Sequence, residues 1–367
     1  MKIALLNTLG KLLSVILIFS NIGILSAQNG VHSGIKQFEA EEVDNSFFRN
    51  DKFWRGADGA ATIDLENGKI LWLFSDTFID TAGTGLRSNS VMINNTLAIQ
   101  DGNELEKSKL SFYWKGERDK PKSFFELPGK TWFWTGHGIV VKGKLVIFLF
   151  EEKSTSEGFG FESVGWTVAI IDNPIDEPKK WKIKYVKGPE TFGVIVGSSS
   201  VLKDSNYVYA FGVKEPGTHE TYLLRFENDK LTQGDLLEME WWVENAWTKE
   251  VYEEPKQAAL FSGQTEFSVH FEPELGKFIQ IQTYGFGQAS IGYRLADQLQ
   301  GPWSDPVIFY SPKLNHEKEF SYTANAHPEL KSKGMLVTYN VNNFDFGRLL
   351  NDESIYFPNL VKLKFKE

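Results

Sequence analysis

Three features of the chain predict an all-β fold, a single five-bladed β-propeller over residues 28–367. Short apolar runs bounded by Gly, Asn and Asp recur along the sequence, which is the pattern of strands joined by tight turns. Five units follow one another, and a cluster of small or polar residues opens each unit. No long amphipathic helix competes with this pattern. Radial repetition of four-stranded units favours a propeller. A two-sheet sandwich, the alternative, does not explain the repeated opening cluster.

The first unit contains the clearest hairpin, within residues 54–76. Residues 66–69 read Glu-Asn-Gly-Lys and predict a tight turn, and residues 70–74 form the continuous apolar run of a strand buried on both faces. Asp58 precedes the first strand and Asp76 follows the second. Because a hairpin folds back on itself, the two carboxylates should lie near the same edge of the sheet.

Four further units repeat this layout. Their opening clusters are residues 134–138, 197–201, 263–267 and 325–328. Two long insertions, residues 102–128 and 227–258, lengthen the repeat, and the second has room for a short helix within residues 233–254. Residues 28–50 have the character of a lead-in that precedes the first blade.

The N-terminal segment, residues 1–27, predicts a secretory signal peptide. It carries Lys2 and Lys11, a mostly apolar stretch over residues 12–25, and a small residue, Ala27, at its end. An N-terminal membrane anchor is the alternative, although the apolar stretch is short for a spanning helix. We therefore expect an exported protein, periplasmic or secreted, that acts as a monomer.

Composition narrows the class of partner. The chain contains no cysteine, so it has no disulfide and no thiolate metal ligand. Its formal net charge of -9 argues against a nucleic-acid partner, and no Lys/Arg stripe opposes that conclusion. An acidic chain in which 14% of residues are aromatic suits a neutral ligand, such as an oligosaccharide or polysaccharide.

The predicted fold brings chemically useful residues together. The first strand of each blade lines the central channel of a propeller, so the residues that open the units should converge: Asp58, His137, Ser198, Glu266 and His327. This set has two acids and no Lys or Arg, so it favours glycosidic cleavage over binding of phosphate. Such cleavage needs one carboxylic acid to protonate the leaving oxygen, and a second carboxylate to attack the sugar or activate water. The catalytic candidates are Asp58, Asp76 and Glu266.

A second set has side chains suited to sugar rings and hydroxyls. The substrate-binding candidates are Trp54, Arg87, Asn89, Asn95, Trp134, His137, Ser198, Gln264, Asn325 and His327. Each type also has a structural interpretation, as a core aromatic or as a turn or loop residue. Two histidines without a third ligand do not predict a transition-metal site. We expect no required cofactor, with room in the channel for a hard cation such as Ca²⁺ or for ordered water.

The hairpin and the strand after it also resemble a known family. Trp-Arg-Gly-Ala-Asp-Gly-Ala at residues 54–60, Gly-Lys-Ile-Leu-Trp-Leu-Phe-Ser-Asp-Thr-Phe at residues 68–78, Asn89-Ser90 and Asn94-Asn95 carry the likeness. They resemble the opening blade of a bacterial group described as a domain of unknown function. The resemblance implies a five-bladed propeller. Because some members are assigned as endo-acting D-arabinanases, it also implies cleavage of D-arabinan.

The resemblance leaves the catalytic partner of the first acid open. The paired aspartates of this family would fall on Asp58 and Asp76. The wider set of five-bladed furanosidases combines an acid at the start of the first blade with a glutamate from a later blade, which favours Asp58 with Glu266. Two other functions are also open: a non-catalytic glycan-binding propeller and a different carbohydrate-active enzyme such as a lyase, which would need a cation beside a uronate.

Overall fold

The computed structural model describes residues 38–365, apart from residues 159, 218 and 251–257. Five small antiparallel sheets form the blades of a propeller, which confirms the predicted fold. The innermost strand of each blade lies against the innermost strands of its two neighbours, so the ring is closed. The predicted signal peptide, residues 1–27, lies outside the described residues. No helix in the described part of the chain has the length and apolar character needed to cross a membrane.

The strands are numbered in chain order, and β1 (Phe38–Val43) belongs to the last blade. Blade one contains β2 (Trp54–Asp64), β3 (Lys69–Asp80), β4 (Ser90–Ile93), β5 (Thr96–Asp101) and β6 (Leu110–Tyr113), followed by a separate pair, β7 (Lys115–Glu117) and β8 (Lys120–Lys122). Blade two contains β9 (Thr131–Val141), β10 (Lys144–Ser154), β11 (Phe161–Ile171) and β12 (Ile183–Lys187).

The remaining blades follow the same plan. Blade three contains β13 (Val194–Lys203), β14 (Tyr207–Lys214), β15 (Glu220–Glu227), β16 (Glu240–Val243), β17 (Ala246–Thr248) and β18 (Phe261–Ser262). Blade four contains β19 (Ser268–Glu272), β20 (Lys277–Tyr284), β21 (Ser290–Ala296) and β22 (Val307–Tyr310). Blade five contains β23 (Glu319–Ala326), β24 (Met335–Asn343) and β25 (Asn359–Phe365), with β1 as its outer strand.

Helices are short and lie between strands. Within the described residues they are α1 (Asn228–Gln233), α2 (Phe346–Asn351) and four 3₁₀ turns, Ser46–Phe48, Arg87–Asn89, Leu105–Lys107 and Pro178–Lys180. The second insertion begins with a short helix, α1, which ends at Gln233, and the outer strands β16 and β17 occupy part of residues 233–254, where the sequence has room for a helix. The expected lead-in is also corrected, because β1 pairs with β25 and completes blade five.

The core consists of apolar layers between blades. The predicted hairpin is β2 and β3, and residues 70–74 of β3 are all at least 97% buried. Trp54 and Trp72 pack with Phe48 and Phe74 beneath blade one. Burial of this much aromatic surface supplies the main stabilisation of each blade, at roughly 25 cal/mol per Å². It also fixes the rigid frame on which the channel residues are mounted.

The five inner strands run in the same direction, so the channel has two distinct mouths. The beginning of β2 contacts the beginning of β23, where the Tyr322 hydroxyl lies 3.0 Å from Asp58 Oδ2. The far end of β2 contacts the residue after β23, where Thr62 Oγ1 lies 2.8 Å from His327 Nδ1. We call the first end the acid mouth, defined by Asp58 and its neighbours.

Candidate active site

The β2–β3 hairpin brings Asp58 and Asp76 together at the acid mouth. Ala57 pairs with Thr77, so the adjoining Asp58 and Asp76 lie at one level of the sheet. The pairing shifts register on both sides of Ala57. Such bulges re-aim side chains at a sheet edge. Gly59 supplies the left-handed backbone that this path needs, with φ of 83°.

Asp58 has two hydroxyl neighbours on one oxygen. Tyr322 Oη lies 3.0 Å and Tyr356 Oη 3.3 Å from Asp58 Oδ2. Asp58 Oδ1 is enclosed and accepts no hydrogen bond from the described residues. Burial, and then the charge of Asp76, raise the pKa of Asp58 to about 7, although the two tyrosine bonds oppose this shift. Asp58 is therefore a buried carboxyl whose one oxygen is bonded to two phenols and whose pKa is raised.

Asp76 has partners of another kind. The Trp134 indole N–H donates to Asp76 Oδ1 at 2.7 Å, and the Asn94 amide donates to the same oxygen at 3.4 Å. Burial raises the pKa of Asp76 to about 6, while these two donors lower it. The two aspartates are electrostatically coupled, because the charge of Asp76 acts on Asp58. The site therefore holds a pair of interacting carboxyls in different hydrogen-bonding environments.

Glu266 lies beside this pair, on the segment just before β19. Its Oε1 would be 3.5 Å from a Cβ atom placed on Gly59, so it faces the backbone next to Asp58. Burial, and then the charge of Asp58, raise the pKa of Glu266 to about 8. The structure thus gathers all three predicted acids at one mouth.

A loop after α2 carries Tyr356 into the site. The hydroxyl of Tyr356 lies 3.1 Å from the backbone oxygen of Asp76, besides its contact with Asp58. Tyr356 has a φ of 62°. A side chain on Gly56 would begin 2.2 Å from the Tyr356 carbonyl oxygen, so this approach requires glycine. The loop is therefore fitted closely against the hairpin.

Arg87 holds this loop, which corrects the expectation that it contacts a ligand. Its side chain is fully buried. The guanidinium donates to four backbone carbonyls, those of Arg55, Leu349, Asp352 and Ile355, at 2.7–3.0 Å. Burial lowers its pKa to about 10. Arg87 is a positioning residue for the Tyr356 loop because its donors point into protein and not into the channel.

Trp54 and Asn95 are also corrected from ligand binding to structural roles. Trp54 is fully buried, and its indole N–H donates to Thr96 Oγ1 at 3.1 Å. Asn95 is fully buried and bonds to the backbone of Phe125 and Phe133, which ties blade one to blade two. Their positions beneath the hairpin leave no surface for a sugar.

Most of the remaining candidates lie around the channel at different depths. Trp134 and Gln264 are half-buried, and Gln264 is two residues before Glu266, whereas Asn89 is exposed and donates to Thr84 Oγ1 at 3.0 Å. Ser198 and Asn325 are buried on the inner strands β13 and β23. Among this group, Trp134 is the residue with a direct hydrogen bond to an acid.

The histidines form a separate group deeper in the channel. His327 Nδ1 lies 2.8 Å from Thr62 Oγ1, and His327 Nε2 lies 2.7 Å from Thr338 Oγ1. Burial lowers the pKa of His327 to about 3 and that of His137 to about 4. Both imidazoles are therefore neutral at ordinary pH. The hydrogen bond to Thr62 crosses from blade five to blade one, so His327 helps to close the ring.

A family model described as Domain of unknown function (DUF5005) matches residues 41–364. The chain belongs to this family. The match agrees with the family resemblance seen in residues 54–95. Among curated proteins, none matches the chain.

This DUF5005 chain is similar to several solved structures. A proposed hydrolase from Bacteroides ovatus ATCC 8483 superposes with a TM-score of 0.72 at 16% identity, over 94% of this chain and 97% of that one. A GH62 α-L-arabinofuranosidase catalytic domain from Coprinopsis cinerea gives 0.49 at 9% identity, over 90% and 98%. An endo-arabinase from Bacteroides thetaiotaomicron VPI-5482 gives 0.45 at 12%, over 87% and 96%. The likeness to the Bacteroides ovatus structure, at 16% identity, is one of fold alone.

Sequence reasoning missed several residues of the DUF5005 site. Tyr322, Tyr356 and Asn94 contact the two aspartates, yet none was a candidate. Glu152 was missed as well: it is fully buried on β10, accepts a hydrogen bond from Ser163, and has a pKa raised to about 7 mainly by burial. The sequence did contain a signal for Glu152. Glu152 follows the apolar run of β10, the second strand of blade two, just as Asp76 follows the apolar run of β3, the second strand of blade one.

One group in the described part of the chain has the composition of a metal site. His316, Glu319 and Asp352 place one possible ligand atom each within 4.8 Å of one another. Asp352 already accepts a hydrogen bond from Arg348 at 2.9 Å, and Glu319 accepts one from the backbone N–H of Asn315 at 2.7 Å. At least one oxygen of each carboxylate is thus engaged, whereas Glu319 Oε1 is buried without a hydrogen-bond partner among the described residues.

Proposed function

We propose that this DUF5005 protein is a glycoside hydrolase that cleaves a furanosidic glycan such as D-arabinan, without a required cofactor. The observation that supports this proposal is the coupled pair Asp58 and Asp76, carried on one hairpin at the mouth of the channel. Two carboxyls in different environments are what hydrolysis of a glycosidic bond requires. The predicted signal peptide would place this activity outside the cytoplasm.

The partners of the two acids support different roles. Asp76 faces an indole N–H and an amide N–H, which only donate, so its oxygen is held as a carboxylate. Asp58 faces two phenol hydroxyls, which can donate or accept, so it tolerates both protonation states. Burial and the charge of Asp76 both raise the pKa of Asp58, whereas burial alone raises that of Asp76. We therefore assign Asp58 as the general acid, and Asp76 as the nucleophile or the base that activates water.

A second pairing has its own supporting observation. Glu266 has the highest pKa of the three acids, about 8, and it lies beside Asp58. In that arrangement Glu266 would donate the proton to the leaving oxygen, and Asp58 would act as the base. Both pairings, Asp58 with Asp76 and Glu266 with Asp58, give a glycoside hydrolase. They differ in the general acid, so the leaving group loses its proton donor in Asp58→Asn under the first and in Glu266→Gln under the second.

The first experiment measures product release from plant and bacterial polysaccharides, including D-arabinan and L-arabinan. We compare wild type with Asp58→Asn, Asp76→Asn and Glu266→Gln, and use Asp101→Asn as the matched control. Asp101 is an exposed aspartate of the same blade that pairs with Lys69 at 3.4 Å, so its loss should change little. We expect release from one glycan, a fall of at least about 10³-fold in both hairpin variants, and an unchanged control.

A second experiment separates the roles of the acids. A variant without its general acid should recover activity on an aryl glycoside, whose leaving group needs no proton. A variant without its nucleophile or base should instead recover with added azide. Recovery of Asp58→Asn on the aryl substrate supports the first pairing, whereas recovery of Glu266→Gln supports the second. If every polysaccharide stays intact but one is bound, the protein is a glycan-binding propeller and the proposal fails.

A further inference from the structure

An aromatic surface borders the acid mouth on blades four and five. Phe286 is 74% exposed and Phe344 is 44% exposed, and both contact the half-buried Phe320. The Phe320 and Phe344 rings are stacked with centroids 4.4 Å apart, and Phe286 lies 5.9 Å from Phe344. We call these three residues the Phe platform. A grouped aromatic surface of this kind marks a binding site more often than a chance exposure.

The Phe platform leads directly to the acids. Phe320 is 5.2 Å from the ring of Tyr322, whose hydroxyl is hydrogen-bonded to Asp58. All three segments end at the acid mouth, because Phe286 follows β20, Phe320 begins β23 and Phe344 follows β24. A ligand that reaches Asp58 can therefore extend over these rings.

The platform is held in place before any ligand arrives. The turn that carries Phe286 is tied to β23 by two hydrogen bonds from Ser321, to the backbone oxygens of Gly287 and Ala289, at 3.0 and 2.8 Å. The backbone N–H of Phe344 donates to Lys318 O at 3.0 Å. Fixed rings lose little freedom on binding, which favours affinity.

A second aromatic group lies on the other side of the acids, in blade two. Trp134 donates to Asp76, and its ring is 4.5 Å from Phe161, which is 37% exposed. Blades five and two are the two neighbours of blade one. The acid pair thus has aromatic rings on both sides.

We propose that the Phe platform is a glycan subsite that binds sugar units beyond the cleaved linkage, on the Asp58 side. This inference rests on the proposed hydrolase function. The C–H face of a sugar ring is weakly positive and apolar, so it packs well on the negative face of an aromatic ring. The platform lies beside the acids and not on them, so it should bind a chain and leave the smallest substrate unaffected.

The test measures binding of oligosaccharides of D-arabinan, L-arabinan and xylan, from disaccharide to octasaccharide, by calorimetry. The reference is the Asp58→Asn protein, which should bind without cleavage. It is compared with the platform variant, in which Phe286→Ala and Phe344→Ala are added to Asp58→Asn. Phe271→Ala is the control, because Phe271 is 49% exposed on β19 of blade four, towards the other mouth. We expect the platform variant to lose about tenfold in affinity for the longest chain that binds, with the disaccharide and the control unchanged.

Each of the following outcomes would overturn the inference. Equal losses for short and long chains, or an equal loss in the control, would show that the rings do not form a separate subsite. Self-association of the wild type that disappears in the platform variant would mean that a second copy of the chain covers the rings. If wild type cleaves a glycan but the platform variant binds the longest chain as tightly as its reference, the subsite alone is rejected. If wild type neither binds nor cleaves any glycan, the hydrolase function is rejected as well.

Discussion

At the scale of single residues, the chemistry of the site depends on what surrounds each carboxyl. Asp58 and Asp76 have the same side chain, yet one is bonded to hydroxyls and the other to obligatory N–H donors. The Tyr356 hydroxyl has one proton and two possible acceptors, Asp58 Oδ2 and the backbone oxygen of Asp76. The backbone oxygen is the nearer of the two, at 3.1 Å against 3.3 Å. Tyr322 is therefore the steadier donor to Asp58.

This difference predicts the behaviour of a Tyr322→Phe variant. Burial raises the pKa of both carboxyls, and the charge of Asp76 raises that of Asp58 further, so the pH profile of kcat/KM should be a bell whose two limbs report the titration of the pair. Loss of the phenol removes a bond that stabilises the Asp58 carboxylate, so the pKa of Asp58 rises. We expect the alkaline limb to move to higher pH and the maximal rate to fall about tenfold, as measured by initial rates across pH.

Tyr310→Phe is the control for this variant. Tyr310 also donates to a carboxylate, Glu42, but at the outer edge of blades four and five. Its pH profile should match that of wild type. An alkaline limb that does not move in Tyr322→Phe would mean that Asp58 is not the group that titrates on that side.

At the scale of elements, the Tyr356 loop depends on Arg87. Four carbonyls, of the hairpin, of α2 and of the loop after it, share one buried guanidinium, whose planar fork reaches them all. Arg87→Lys keeps the charge but cannot make these bonds, so buried carbonyls lose their partners. We expect the free energy of unfolding to fall by about 3 kcal/mol, measured by urea denaturation. Activity should fall in parallel because Tyr356 is displaced.

Arg118→Lys is the matched control, since Arg118 is exposed near the same blade and lies over the ring of Phe53. Its unfolding free energy should stay within about 0.5 kcal/mol of wild type. A loss that small for Arg87→Lys would contradict the role given to the guanidinium.

The same elements explain how far sequence reasoning could go. Local patterns were enough for the β2–β3 hairpin, because an Asn-Gly turn and a continuous apolar run fix its register and bring Asp58 level with Asp76. They failed for Arg87, because three of its four partner carbonyls, those of Leu349, Asp352 and Ile355, are more than 250 residues away on α2 and the loop after it. They also failed for Tyr356, because nothing local to residues 352–356 indicates which side chain the loop turns inward.

At the scale of the whole molecule, closure of the ring is a long-range property. β1 reads Phe-Glu-Ala-Glu-Glu-Val, a polar segment with little strand character, and its partner β25 is at the other end of the chain. β1 is a strand because blade five lacks an outer strand without it. This is why the segment was predicted as a lead-in although the number of blades was correct.

The closed ring also brings buried acids together, and their negative charges repel one another. The stability of the fold should therefore depend on pH. The pKa of Asp58 and that of Glu266 are raised, to about 7 and about 8, from ordinary values near 4. A carboxyl with a raised pKa in the folded state binds its proton more tightly there than in the unfolded chain. Its contribution to stability is therefore complete below about pH 4 and is lost as the pH rises through 7 and 8.

Asp58→Asn combined with Glu266→Gln should thus be more stable than wild type at pH 8.5, by about 2 kcal/mol, and should lose this advantage by pH 5. The measurement is urea denaturation at both pH values. His137 and His327 act in the opposite sense, because their lowered pKa values cost stability on acidification, but they are common to both proteins and cancel in the difference. A difference that is constant with pH would show that the two carboxyls do not titrate in this range, and that the crowding of acids at the mouth carries no energetic penalty.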